Sequence, residues 1–91
     1  MNMNMVVFTT KNVIKDGHPI VRVYNDEDGS WQFFDAVSTN SNENVMLVSM
    51  AEILETDNSL REILDMKSSH FASRADKSEK WIIDEFTETE E

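Results

Sequence analysis

Two histidines, His18 and His70, and the arginine Arg74 are the side chains in this sequence best suited to chemistry. A catalytic imidazole needs a nucleophile or metal beside it and a carboxylate to orient it, all within hydrogen-bond reach. His18 and His70 lie in unrelated segments, and their spacing supplies neither with such company. A small hydrolase would need a concave pocket built around His70 or Arg74 together with an aspartate. Arg74 stands in a stretch suited to a strand, in a chain with few cations. Its planar fork can hold a carboxylate bidentately, and Asp65 or Asp35 is the expected partner in a structural ion pair. The alternative role for Arg74 is a binding anchor, because arginine is enriched among interface hot spots.

Several classes of chemistry are poorly served by this composition. Cysteine is absent, which removes disulfides, thiolate zinc sites and thiol nucleophiles together. Gly17 and Gly29 are the only glycines, too few for a glycine-rich phosphate loop. The acidic turn Asp26-Glu27-Asp28-Gly29 resembles part of a calcium loop. In that register, however, Tyr24 takes the first ligand position and the flanks have strand character, so a solvated hairpin turn is expected instead. No catalytic residue, cofactor or metal is predicted.

Charge is the strongest compositional signal. Eighteen acidic residues against eight basic ones give a formal net charge of -10. Such a field repels phosphate backbones and anionic lipid and attracts cations, so the expected partner is a basic protein rather than nucleic acid or membrane. Acidity also serves solubility alone. The first residues lack a basic leader, and no apolar run reaches the ~20 residues of a membrane helix, so a cytoplasmic location is expected.

The elements that must position these groups follow from patterning. Val6–Thr10 is β-branched and aromatic, a first strand, with Val13-Ile14 as a short continuation before Asp16-Gly17. Pro19 opens a second strand over Ile20–Tyr24. Asp28-Gly29 signals a hairpin into a third strand, which puts Trp31 and Phe33 on one face and Gln32 and Phe34 on the other. Ser38–Asn44 is a polar loop. Val45–Val48 is a continuous apolar run, the pattern of a central strand covered on both faces. Ser49 and Glu52 form a capping box opening a short helix that buries Met50, Ile53 and Leu54. Asp57 caps a second helix that buries Leu60, Ile63 and Leu64. His70–Arg74 and Trp81–Ile83 form a terminal hairpin, and Trp31 and Trp81 are expected in the core, with an exposed aromatic patch as the alternative.

This order predicts an α+β fold, a mostly antiparallel sheet of about five to six strands with two short consecutive helices on one face. Residues 1–86 form one domain, and residues 87–91 an acidic tail without an apolar anchor.

The segments Asp28–Phe33, Val48–Ile53, Asp57–Leu60, Leu64-Asp65, Phe71–Arg74 and Trp81 together resemble a family of small uncharacterised bacterial proteins, some of whose relatives are candidate immunity proteins of polymorphic toxin systems. The resemblance spans roughly residues 6 to 86. Its motifs are mostly structural. Two departures stand out: the family pattern often has proline where this chain has Asn58, and glycine within the stretch occupied by Ser68-Ser69-His70.

Together, charge and resemblance lead to an expected function as a non-enzymatic, acidic protein-binding module, an immunity-like or antitoxin-like neutraliser of a basic partner. Its partner-facing candidates are Asp26, Glu27, Asp28, Asp35 and Glu43, taken as neighbours in adjacent loops, with Arg74. A homo-oligomer pairing through an exposed strand edge, or a regulatory subunit, is the alternative, and a small hydrolase ranks third.

Overall fold

The computed structural model describes residues 3–36 and 45–85. Six strands, β1 (Val6–Thr10), β2 (Ile20–Asn25), β3 (Trp31–Asp35), β4 (Val45–Ser49), β5 (His70–Ser73) and β6 (Ile82–Glu85), form one sheet in the order β4-β1-β3-β2-β5-β6. Every neighbouring pair is antiparallel except β1 with β3, which is parallel. The fold is α+β, as the grouping of strands apart from helices predicts. The polar loop expected over Ser38–Asn44, with Glu43 in it, and the acidic tail lie outside the described residues.

Three short helical segments accompany the sheet: α1 (Lys11–Asp16), α2 (Met50–Thr56) and a 3₁₀ helix (Asn58–Ile63). The first corrects the expectation of a strand continuing through Val13-Ile14. Thr10 leaves β1 extended and its hydroxyl accepts from the Val13 amide, satisfying one of the helix's orphan donors. Gly17 closes the helix at φ 72°, a left-handed conformation that a side chain would strain, with its N–H on the Asn12 carbonyl. Ser49 caps α2 by accepting from the Glu52 amide, as expected. Asp57 caps the next segment as predicted, but that segment winds as a 3₁₀ helix.

Cross-strand register sorts the side chains onto two faces. Val7 pairs with Val48, and Val23 pairs with both Phe33 and Ala72, so these residues share a face. They form one buried cluster with Trp31, Val13 of α1, Met50, Ile53 and Leu54 of α2, and Leu60 and Ile63 of the 3₁₀ helix. All three helical segments therefore cover the same side of the sheet. Trp31 is buried as expected, whereas Trp81 lies just before β6 and is only partly buried against the cluster.

The position of β4 is a correction. Its apolar run predicts a central strand, yet among the described residues it is an edge strand hydrogen-bonded only to β1, with Val48 alone of its residues buried. Val45 and Leu47 are exposed because they alternate onto the face that no helix covers.

Candidate interaction surface

The acidic candidates do not form one cluster. Asp26, Glu27 and Asp28 occupy the β2–β3 turn, whereas Asp35 ends β3, four strand steps and about 13 Å beyond Trp31. The turn is tightly built. Asp26 N–H donates to the Ser30 carbonyl at 2.8 Å, Gly29 N–H to the Asp26 carbonyl at 2.9 Å, and Ser30 N–H to Asp28 Oδ1 at 3.0 Å. The amide and hydroxyl of Ser30 hold the Asp28 carboxyl below its ordinary pKa by stabilising the charged form. Glu27 and Asp28 are exposed, and Asp26 is half-buried because Gln32 Nε2 donates to its Oδ2.

Asp35 must be withdrawn from the partner-facing set. Its side chain is only 1% exposed, and a carboxylate so placed needs donors. Thr10 Oγ1 donates to Oδ1 at 3.1 Å, and Asn12 Nδ2 and His18 Nδ1 approach Oδ2 at 3.3 and 3.0 Å. The network ties α1 and the following loop to the end of β3. Sequence reasoning missed it because Thr10, Asn12 and His18, which flank and begin α1, meet Asp35 across 17 to 25 residues with no spacing signature.

Arg74 must also be withdrawn as a surface anchor. It lies just past β5, with a side chain only 1% exposed. Its Nη2 donates to Asp57 Oδ2 at 2.6 Å, Nε to the Ile20 carbonyl and Nη1 to Ser59 Oγ, both at 2.9 Å. The guanidinium carbon sits 4.0 Å from the centre of the Trp81 ring, so a π face completes the enclosure. The partner is Asp57 rather than Asp65, which is exposed, or Asp35, which is engaged elsewhere. Burial pushes the Asp57 pKa up. The Ser59 hydroxyl, the Arg74 hydrogen bond, the Ser59 amide and the Arg74 charge outweigh that effect and leave the carboxyl below its usual range.

His70 does not join Arg74. It begins β5, with Nδ1 2.9 Å from the Ser68 carbonyl, while Arg74 lies beyond the strand's other end. Among the described residues, no three of His, Asp and Glu gather closely enough to hold a metal ion.

What remains is the sheet's open face. Register carries Leu47, Phe8, Gln32, Tyr24, Phe71 and Asp84 across it in one row, one residue from each strand. Tyr24 packs edge-on against Phe34 and stacks with Phe71, both at 5.9 Å between ring centres. Val6 and Leu47 are each 60% exposed and Phe8 is 40% exposed, a contiguous apolar group on two adjacent strands. Apolar surface of this kind, bordered by charge, is a mark of interaction sites.

No protein-family model, curated protein or solved structure matches this chain. Among the described residues, no helix is long and apolar enough to cross a membrane.

Proposed function

We propose that the protein is an acidic binding module that docks onto a basic protein partner and occludes that partner's cationic surface, as an immunity protein does to a toxin. The observation that carries this reading is the Asp26-Glu27-Asp28 turn, built by its own hydrogen bonds with Glu27 and Asp28 exposed, on a chain of net charge -10. A field of that sign speeds encounter with a cation and competes with a polyanionic substrate for the same groove. Asp35 and Arg74 act within the fold, anchoring α1 and the α2–3₁₀ junction.

The test begins by isolating the partner from the native cell extract and then measures association rates at rising ionic strength. The rate should fall with salt. Converting Asp26, Glu27 and Asp28 together to Asn, Gln and Asn should slow encounter with little effect on the melting curve, since each Asn keeps a side-chain oxygen to accept from Ser30 and Gln32 and the exposed charges themselves contribute little to stability. An acidic partner with salt-independent association would sink the proposal.

A second reading, self-association through a sheet edge, is favoured by β6. All four of its residues are exposed, and its outer edge has no strand beside it among the described residues. Sedimentation at several protein concentrations separates the two readings.

A further inference from the structure

The open face runs without a break from charge to apolar surface. Asp26 is tied to Gln32, Gln32 is the register partner of Phe8, and Phe8 is the register partner of Leu47. Val6 and Val45 lie two residues along the same strands and share that face. Arg22, exposed and paired in register with Phe34 and Ser73, stands on the same face away from the acidic turn.

Resting on the reading that the partner is basic, we propose that it occupies this face with an amphipathic segment. Its apolar side chains cover Val6, Phe8, Val45 and Leu47, and its lysines or arginines lie over Asp26, Glu27 and Asp28. The argument is complementarity in two currents of one surface. A purely cationic partner would leave four large apolar groups in water, and a purely apolar one would draw nothing from the acidic field. The Gln32 hydrogen bond fixes an acceptor where the two zones meet. Arg22 repels cations at the other end, so the segment has one favoured direction.

Two synthetic peptides of equal length and charge serve as probes, one alternating leucine with lysine and the other serine with lysine. The parent protein should bind the leucine peptide at least about tenfold more tightly, the scale of one interface hot spot. Phe8→Ser with Leu47→Ser should erase that preference, and neutralising the acidic turn should weaken both peptides. Leu47→Lys alone replaces the double variant if the latter loses its fold, because Leu47 is an exposed edge residue. Equal affinity for the two peptides, or a preference that survives in the variant, overturns the amphipathic inference and leaves the basic-partner reading standing. Failure of the parent to bind either peptide at low salt overturns both. A concentration-dependent dimer abolished by Leu47→Lys would place a second copy on this face and likewise overturn the inference.

Discussion

The two faces of the sheet carry similar side chains in different circumstances. On the covered side, Val7, Val23, Trp31 and Phe33 are buried beneath three helical segments. On the open side, Val6 and Phe8 alternate with Val7 along β1, Leu47 alternates with Val48 along β4, and all three remain in contact with water. A strand presents its residues to both faces by geometry alone, so apolar character on the open side is not needed to build the core. Its presence there is the ground on which the docking surface is proposed.

That contrast can be broken most decisively at the covered side's ion pair and core. Arg74→Ala or Asp57→Ala strands a buried charge and should lower stability by about 3–5 kcal/mol. Phe33→Ala should cost about 3–5 kcal/mol through lost contacts and a residual cavity. Leu47→Ser, on the open face, should stay within about 0.5 kcal/mol of the parent. Urea unfolding curves of the four variants test this. If Leu47→Ser is as damaging as Phe33→Ala, the open face is structural and its assignment to docking fails.

A smaller effect should appear in acid. Asp57 titrates below its ordinary value in the folded chain, so the unfolded chain takes up its proton first as pH falls. The stability this contributes is complete above the unfolded carboxyl's pKa of about 3.9 and disappears as pH drops through the folded value. Asp57→Asn should therefore be less stable than the parent at neutral pH and should show a flatter decline through that acid window. Parallel stability–pH curves for the two proteins would remove Asp57 from this role.

The smallest effect sharpens the comparison at the margin of β5. Ser69 adopts φ 62°, the one left-handed non-glycine residue among those described. Ser69→Gly should gain up to about 1 kcal/mol by relieving that conformation, less the extra freedom glycine brings to the unfolded chain. A fall in melting temperature would show that the serine side chain contributes more than its backbone costs.

Much of this fold is legible in local chemistry. The Asp28-Gly29 hairpin, the Ser49 cap and the alternation of Trp31 and Phe33 with Gln32 and Phe34 depend on neighbours within a few residues, and each stands as predicted. Helix α1 was hidden because only Val13 is buried in it, which leaves no periodic signal, and its cap is also the last residue of β1. An apolar run such as Val45–Val48 records that hydrophobic surface exists, and not whether the protein's own helices or another molecule will cover it. Glu27 and Asp28 were readable as exposed, whereas the burial of Asp35 depends on donors brought from the distant stretch around α1.

The single parallel pairing also has a temporal consequence. The hairpins β2–β3 and β5–β6 join strands close in sequence, but β1 must wait for β3 on one side and β4, beyond residue 44, on the other. Closing those long loops sacrifices chain entropy before any contact rewards it, and β2 meets β5 across a longer span still, Arg22 to Ser73, so β1 and the β2–β5 seam are both expected to form after the hairpins. Until β1 is seated, β4 has no neighbouring strand among the described residues, and one side of β3 is an open template for another chain. The stretch Val6-Val7-Phe8 thus acts as a keystone seated after the hairpins, and aggregation during refolding should respond to changes there more sharply than to changes in the β2–β3 turn.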